Sequence, residues 1–270
     1  MASEQPGRTH VRHLDPDELD RYARDGFVLL KGLYASERLE AYDKRFQALV
    51  NDAAPLSARM KIMKDVMVVK RAVTARSSEH AVNKLMSFED DPGLYDFVLN
   101  PDLLSCVRCL LGEDIYSVST NFFNKPPGVD GRHPMHQDLR YYRIRPPEGI
   151  VGVWTAILPA LRESGCLSVM PGSHRQGLLA HADPDWEYLN HGFHGARGVD
   201  RGQRVHIEMQ PGDTLLFHPL LVHGSGRNRS DGFRRAISVH YAAASCESPP
   251  PDWRNNPYVR RLPSVGSAPR

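Results

Sequence analysis

The chain has 270 residues, of which 41% are hydrophobic and 24% are charged, and its net charge at pH 7 is +2. This length is sufficient for one domain with a sizeable core and helical additions. The small net charge gives no strong electrostatic footprint for nucleic acid or a membrane surface, so the partner must be inferred from the site residues. No stretch approaches the roughly 18 apolar residues of a membrane span.

The cysteines and the two ends of the sequence bear on the compartment. Residues 1–19 lack the apolar run of a secretory signal, and the last three residues are not a peroxisomal tripeptide, which predicts a cytoplasmic protein. The four cysteines are then expected to be reduced thiols. Cys106 and Cys109 form a CxxC pair, but it lies in a helical apolar pattern without a second CxxC, so we expect a structural role.

The first part of the chain, residues 15–112, predicts a largely helical region, and residues 1–14 are expected to be flexible. Asp15, followed by Pro16 and Glu18, is a helix start, and Gly26 predicts the end of this helix. The further elements are a strand at 27–31, a helix from residue 36, a strand in MKDVMVVK that ends at residue 70, and helices at 92–99 and 101–111.

From residue 113 onward the pattern changes to short β-rich runs separated by Gly, Pro and Asp. These runs are IYSVSTNFF, IVGVWTAIL, CLSVM, RVHIEM, TLLFH and AISVHYAAA. Such spacing predicts a sandwich or barrel, and hence a mainly β core over about 113–246 in a single α+β domain of residues 15–246. The loop from 180 to 202 is long and predicts a lid or substrate-facing element, and residues 247–270 predict a loosely packed tail.

His136, Asp138 and His223 have the side chains that a mononuclear iron site requires. Two imidazoles and one carboxylate form a facial triad, which leaves three positions of an octahedron open for a bidentate cosubstrate and O₂. In a His-x-Asp segment of extended backbone, residues two apart face the same side and can reach one ion. His223 must then come from a neighbouring strand, and a double-stranded β-helix would supply that proximity.

Arg234 enters the strand that follows His223 and is the candidate for binding a dicarboxylate. A guanidinium makes two parallel charge-assisted hydrogen bonds to a carboxylate. Arg227 and Arg229 fall in the predicted turn, and Arg235 should face the opposite side of the strand. Arg234 is therefore the choice among the four arginines.

Five segments carry a family resemblance, and they occur in the order RHPMHQDLRYY, VWTAI, GCLSVMPGSH, GDTLLFHPLLVHGSG and GFRRAISVHYAAASC. In these segments, and more weakly in NKPP and DGFVLLKGL, the chain resembles the phytanoyl-CoA dioxygenase family of Fe(II)/2-oxoglutarate oxygenases over residues 15–246. The resemblance implies a double-stranded β-helix of the jelly-roll or cupin-like type with N-terminal helices packed on it. It also implies Fe(II), with 2-oxoglutarate and O₂ as cosubstrates and stimulation by ascorbate.

Carried over position by position, the resemblance implies that iron is bound by His136, Asp138 and His223. It further implies a 2-oxoglutarate pocket lined by Arg234, Ser225, Trp154, Gln137 and Lys84. Trp154 is equally typical of a core, Ser225 of a turn and Lys84 of a solvated helix face. The remaining histidines near the motifs are expected to be hydrogen-bonded structural residues, namely His133, His174, His218 and His240.

The reaction that the resemblance implies is hydroxylation of an unactivated C–H bond with release of succinate and CO₂. Some family members act on the carbon beside a coenzyme A thioester carbonyl, so the 2-position of a branched acyl-CoA is one candidate. A secondary metabolite or a free acid is the alternative. Arg140 and Arg143 would meet coenzyme A phosphates in the first case and are solvated loop charges in the second.

The carboxylate at Asp138 also bears on the type of reaction. Related halogenases replace this ligand by a small residue, so its presence favours hydroxylation. The sequence is also compatible with two functions of other classes: a catalytically silent metal-binding or ligand-binding β-barrel module, and a zinc hydrolase.

Overall fold

The structure is a computed structural model that describes residues 11–264, and most of its strands belong to two antiparallel sheets. In chain order the strands are β1 Phe27–Leu30, β2 Lys61–Lys64, β3 Val82–Met86, β4 Ile115–Lys125, β5 His133–His136, β6 Ile150–Ala156, β7 Leu167–Val169, β8 His181–Ala182, β9 Gly195–Ala196, β10 Val205–Ile207, β11 Thr214–Phe217, β12 His223–Ser225, β13 Arg234–Ala243 and β14 Arg260–Arg261. The larger sheet has the order β1-β11-β6-β13-β4-β3-β2, with β14 on β4, and the smaller sheet has the order β10-β7-β12-β5. Strands β8 and β9 form a separate pair.

The α-helices of the described residues precede β4 in the chain. They are α1 Pro16–Asp25, α2 Ser36–Val50, α3 Val66–Val69, α4 Ser78–Ala81, α5 Pro92–Tyr95 and α6 Pro101–Leu111. The start of α1 is as predicted, because the Asp15 carboxylate accepts a hydrogen bond from the Glu18 backbone N–H at 2.8 Å and the Glu18 carboxylate accepts one from the Asp15 backbone N–H at 3.1 Å. Gly26 ends the helix with φ of 82°, a conformation that favours glycine. Within residues 11–264 no helix is both long and apolar enough to cross a membrane.

The larger sheet has a hydrophobic cluster on each face. On one face, Phe122 of β4 stacks on Phe46 of α2 with ring centroids 4.3 Å apart, within the cluster that the helices cover. On the other face, Trp154 of β6 and Phe217 of β11 pack in one cluster with Leu167 of the smaller sheet. Because side chains alternate along a strand, the same strands contribute side chains to both clusters. This arrangement confirms the predicted α+β fold with a jelly-roll core, and it leaves the space between the sheets for a site.

Three details of the first part of the chain differ from the prediction. The segment MKDVMVVK is not one strand, because the Asp65 carboxylate accepts a hydrogen bond from the Met67 backbone N–H at 2.9 Å and so caps α3. Lys84 lies on β3 and not in a helix-like segment, so residues 15–112 also supply three strands to the larger sheet. The helix predicted over 92–99 is a single turn.

Both ends of the described chain are better packed than predicted. The expectation of flexibility for residues 1–10 lies outside the described residues, but Arg12 just after them donates to the Glu18 carboxylate at 2.6 Å. The tail is not loosely packed between 247 and 264, because Trp253 is buried and its indole N–H donates to the Cys246 carbonyl at 3.0 Å. Burial of an aromatic ring with a satisfied N–H stabilises the segment, and β14 then pairs with β4.

Candidate metal centre

The three predicted ligands meet between the two sheets. His136 is the last residue of β5, Asp138 follows it at the start of a 3₁₀ turn, and His223 is the first residue of β12. Strands β5 and β12 are antiparallel neighbours, and His136 lies directly opposite His223 in their register. Cross-strand pairing therefore brings together residues that are far apart in sequence, and one ligand atom from each side chain lies within 4.8 Å of the others.

Backbone carbonyls orient both imidazoles. The Nδ1 atom of His136 lies 2.7 Å from the Pro134 carbonyl oxygen, and Nδ1 of His223 lies 3.0 Å from the Leu221 carbonyl oxygen. A carbonyl only accepts, so each Nδ1 carries a proton, and in the neutral imidazole Nε2 is left with a lone pair. Both Nε2 atoms face Asp138, at 3.1 Å and 3.7 Å from its Oδ1 atom. This is the arrangement in which histidines typically bind a metal ion.

His240 holds the second oxygen of the aspartate. Its Nε2 atom donates to Asp138 Oδ2 at 2.7 Å, and its Nδ1 atom lies 3.2 Å from Ser119 Oγ. Ser119 Oγ is in turn 2.6 Å from the Tyr142 hydroxyl. The sequence predicts a hydrogen-bonded role for His240 but not its partner. Because that partner is Asp138 Oδ2, Oδ1 is the oxygen that faces the two metal-site histidines.

The protonation states fit a cation at this place. Burial would raise the pKa of Asp138, but the interactions with His223, His240 and His136 outweigh burial and hold that pKa well below its usual range. Burial lowers the pKa of His223 to about 4, so this imidazole is neutral at pH 7. Burial opposes charge on His136 as well, but its hydrogen bond to Asp138 outweighs burial and raises the pKa. A metal ion bound to Nε2 of His136 would take the place of the proton that this imidazole otherwise gains there. The set of two nitrogens and one oxygen is the donor set that suits iron.

Two cavities border the triad, and we name them by their characteristic residues. The arginine cavity has a volume of about 60 Å³. Besides the triad, the residues that line it are Phe123, His133, Trp154, Leu167, Phe217, Gly224, Ser225, Arg234 and Ser238. The tyrosine cavity has a volume of about 320 Å³. It shares Phe123, His133, His136 and Asp138 with the first, and its other lining residues are Lys84, Ser119, Asn121, Pro134, Tyr141, Tyr142, His191, Gly192, Phe193 and His194.

Arg234 is the most informative residue of the arginine cavity. Its side chain is among the largest fully buried ones, and its guanidinium lies 5.3 Å from the centre of the Trp154 ring. Within residues 11–264, no acidic side chain pairs with it, and its Nε atom has no hydrogen-bond partner. Burial lowers its pKa to about 10, so it remains charged at neutral pH. A buried charge without a partner is costly, which fits a site built for an anion.

Arg235 faces the other side of the larger sheet, as predicted. Its guanidinium donates to Asp43 at 2.8 Å and also to Glu79. The alternation of side chains along β13 therefore separates a structural arginine from one that lines a cavity.

Gln137 does not line either cavity, contrary to the prediction. Its amide N–H groups donate to the Gly177 and Leu220 carbonyls, both at 2.8 Å, and its side-chain oxygen accepts from the Leu179 backbone N–H at 2.8 Å. The reason is geometric. When residues 136 and 138 face the metal site on extended backbone, the residue between them faces away.

The other predicted residues fall in different places. Trp154 and Ser225 line the arginine cavity, whereas Lys84 lines the tyrosine cavity, 5.3 Å above the Phe193 ring. A contact between Lys84 and a carboxylate at Arg234 is thus not supported. The exposed Arg140 and Arg143 line neither cavity, although they flank residues that line the tyrosine cavity.

The long loop over 180–202 contributes four consecutive residues, 191–194, to the tyrosine cavity. Asn190 anchors it, since its side-chain oxygen accepts from the Val66 backbone N–H at 2.8 Å and its N–H donates to Asp65 at 3.2 Å. The Tyr141 hydroxyl donates to the Gly192 carbonyl at 3.0 Å. The loop therefore lines the cavity beside the metal site, and its role as a lid or substrate-facing element stays a prediction, while no motif indicated which of its residues would reach the cavity.

Comparison with known proteins agrees with this geometry. The family model for phytanoyl-CoA dioxygenase (PhyH) matches residues 22–236. The "Probable phytanoyl-CoA dioxygenase" of Caenorhabditis elegans is 39% identical over 229 residues, which cover 82% of this chain and 73% of the relative. The "Phytanoyl-CoA dioxygenase, peroxisomal" of Bos taurus is 40% identical over 231 residues, which cover 83% of this chain and 67% of the relative.

Among solved structures, the non-heme alpha ketoglutarate dependent carbocyclase SnoK from nogalamycin biosynthesis is similar, with a TM-score of 0.66 and 20% identity. The match covers 91% of this chain and 90% of that structure. At this level of identity the likeness shows the fold alone, and it supports the jelly-roll assignment.

Proposed function

This chain belongs to the phytanoyl-CoA dioxygenase family, and we propose that its substrate is an acyl-CoA thioester, hydroxylated at the carbon beside the thioester carbonyl. As a member of that family it is an Fe(II)- and 2-oxoglutarate-dependent dioxygenase. When bound, iron and 2-oxoglutarate together supply activation of O₂: one oxygen atom leaves in succinate, the other enters the new hydroxyl group, and CO₂ is released.

The roles of the site residues follow from their places in the two cavities. His136, Asp138 and His223 hold the iron, and Arg234 binds the distal carboxylate of 2-oxoglutarate through charge-assisted hydrogen bonds. The observation that carries this proposal is the buried, unpaired Arg234 in a cavity that shares its wall with the triad. A dianion there would supply the missing partner and offset the cost of the buried charge.

The walls of the arginine cavity protect the reaction from water. Trp154, Phe217 and Leu167 are all less than 7% exposed and belong to strands of the two opposing sheets. Because these side chains sit on paired strands, they hold the cosubstrate in one orientation and exclude bulk solvent.

The tyrosine cavity is the proposed place of the primary substrate. It is the larger of the two, it contacts two of the three metal ligands, and four of its lining residues are Phe or Tyr, which suits an aliphatic chain. The relatives at 38–40% identity are named for phytanoyl-CoA, which supports a thioester substrate. Arg140 and Arg143 lie at exposed positions beside Tyr141 and Tyr142, where they could reach phosphates outside the cavity.

Coupled turnover tests the substrate proposal. The purified protein is supplied with Fe(II), ascorbate, 2-oxoglutarate and O₂, together with branched acyl-CoA thioesters, straight-chain thioesters or the corresponding free acids. We expect succinate and a 2-hydroxyacyl-CoA in a one-to-one ratio from a thioester. Coupling with free acids alone would remove coenzyme A from the proposal, and coupling with no acyl compound would favour a specialised metabolite.

The two exposed arginines give a sharper test. We expect Arg140→Glu with Arg143→Glu to raise the KM for an acyl-CoA about thirty-fold, since each of the two charge-assisted contacts to a phosphate contributes on the order of 1 kcal/mol. The matched control is the acyl-pantetheine thioester, which lacks the phosphoadenosine diphosphate group. The KM for the acyl-pantetheine should be the same in the double variant and in wild type. If the KM rose equally for the acyl-pantetheine and the acyl-CoA, the two arginines would not contact the phosphates.

We further propose that the protein acts in the cytoplasm. All four cysteines are free thiols in the structure, which supports a reducing compartment. Fractionation of the source cells with an antibody tests this, and recovery of the protein in an organelle, as in the mammalian relatives named peroxisomal, would contradict it.

A further inference from the structure

Lys125 is a buried lysine that lines neither cavity. It is the last residue of β4, its side chain is 1% exposed, and its partner across the sheet is Arg234 of β13. Two buried cations therefore lie on adjacent strands. Lys125 itself does not line the arginine cavity, so a hydrogen bond to a ligand there must come from another residue.

That residue is Ser225. The Lys125 ammonium donates to Ser225 Oγ at 2.8 Å and to the Gly226 carbonyl at 2.5 Å. An ammonium group has donors and no acceptor, so the serine oxygen must accept. The hydroxyl proton of Ser225 is then directed elsewhere, and the serine side chain borders the arginine cavity. Within residues 11–264, its other hydrogen-bond neighbour is His133 Nδ1, at 3.5 Å, which is the limit for a hydrogen bond.

Electrostatics link this pair to an anion. Burial, and then the charge of Arg234, lower the pKa of Lys125 well below its ordinary value. A carboxylate beside Arg234 would offset both effects and favour the ammonium form, in which Lys125 can only donate. The cavity is thus arranged so that a bound carboxylate and the donating state of Ser225 support each other.

We propose that Lys125 is a positioning residue for the cosubstrate: it holds Ser225 as a hydrogen-bond donor to the distal carboxylate of 2-oxoglutarate, beside Arg234. This inference rests on the proposed role of the arginine cavity. It assigns the specificity for a dicarboxylate to three residues, of which two touch the ligand and one orients a neighbour.

A binding experiment without turnover tests the proposal. The affinity for 2-oxoglutarate is measured by calorimetry on the Mn(II)-loaded protein under anaerobic conditions, in wild type, Lys125→Met, Ser225→Ala and the double variant. We expect each single variant to weaken binding about ten-fold, the loss of one charge-assisted hydrogen bond, and the double variant to be no weaker than about twenty-fold because both act through one contact. Losses that multiply to about one hundred-fold would show independent roles and overturn the proposal.

Ligand chemistry provides the control. 2-Oxobutyrate keeps the keto acid that chelates the metal but lacks the distal carboxylate, so its affinity should be the same in wild type and Lys125→Met. A purely structural role of Lys125 in the turn at Gly226 would weaken both ligands alike. If Lys125→Met does not fold, Lys125→Gln keeps an N–H donor and should lose less than ten-fold for 2-oxoglutarate and nothing for 2-oxobutyrate.

A further variant separates this inference from the proposed function. If Arg234→Met binds 2-oxoglutarate as well as wild type does, the arginine cavity is not the cosubstrate site and the proposed function fails with it. If Arg234→Met loses binding and Lys125→Met does not, only the role of Lys125 is overturned.

Discussion

The arginine cavity and the tyrosine cavity share two metal ligands but are built differently. All the residues that line the arginine cavity except Asp138 lie on seven strands of the two sheets, namely β4, β5, β6, β7, β11, β12 and β13. The tyrosine cavity takes six residues from loops and turns, namely Tyr141, Tyr142 and 191–194. Paired strands give fixed positions, whereas loop positions can vary without disturbing the sheets. We infer that the first cavity serves the chemistry and the second selects the substrate.

The largest effect is expected in the arginine cavity. Arg234→Met should weaken 2-oxoglutarate binding more than one hundred-fold, because a bidentate charge-assisted pair on the order of 3 kcal/mol is lost. Metal affinity should be unchanged, since Arg234 does not touch the triad. Titration of 2-oxoglutarate and of Mn(II) measures both. The matched control is Arg235→Lys, on the opposite face of the same strand, which should leave both affinities intact. If Arg235→Lys weakened 2-oxoglutarate binding as much as Arg234→Met does, the two faces of β13 would not have the different roles that we assign to them.

A smaller effect is expected when the loop over the tyrosine cavity is released. Asn190 is 4% exposed and ties that loop to Asp65 and Val66. Asn190→Ala should raise the KM for the primary substrate about ten-fold and increase succinate formation without product, because a buried donor and acceptor on α3 lose their partners.

The affinity for 2-oxoglutarate should not change in Asn190→Ala, since the arginine cavity includes no residue of that loop. Kinetics at varied substrate and varied cosubstrate separate the two effects. The exposed Asn255 serves as the control site for an Asn→Ala change. If Asn190→Ala raised the KM for 2-oxoglutarate as well as the KM for the primary substrate, the two cavities would not be independent.

The smallest effect concerns a histidine outside both cavities. Burial lowers the pKa of His218 from 6.5 to about 4. Below pH 6.5 the unfolded chain therefore binds a proton that the folded chain does not, so the free energy of unfolding falls as the pH decreases toward 4. At pH 5.5 this costs about 1 kcal/mol relative to pH 7.5.

We expect His218→Gln to remove that part of the pH dependence, because glutamine still offers an acceptor to the Leu220 backbone N–H, which donates to His218 at 3.2 Å. Urea unfolding at the two pH values measures it. Cosubstrate binding at pH 7.5 should be the same in both proteins. If the free energy of unfolding of His218→Gln differed between the two pH values as much as that of wild type, His218 would not be the group responsible.

The contrast between a cavity built on strands and one built largely on loops also explains which site residues could be predicted from the sequence. His136, Asp138, His223 and Arg234 could be found because strand alternation and ligand chemistry leave a signal in a single sequence. Alternation also predicted the opposite orientation of Arg235, and a stricter use of it would have excluded Gln137, which lies between two residues that face the metal.

Lys84, Lys125 and Phe193 could not be placed in the same way. Their surroundings depend on which strands become neighbours and on how a long loop folds over them, and neither is encoded in a local pattern. Asp65 shows the same limit on a smaller scale, because its capping hydrogen bond outweighs the strand preference of the valines that follow it.

Succinate formation reports directly on whether the triad holds a catalytically active iron. Wild type and His136→Ala are incubated with 2-oxoglutarate, Fe(II) and ascorbate, in air and without O₂. Iron held by the triad predicts O₂-dependent succinate from wild type and at least one hundred-fold less from His136→Ala, because two ligands cannot hold iron in the geometry that three provide. Equal traces of succinate from both proteins, or a reaction that persists without O₂, would contradict the account.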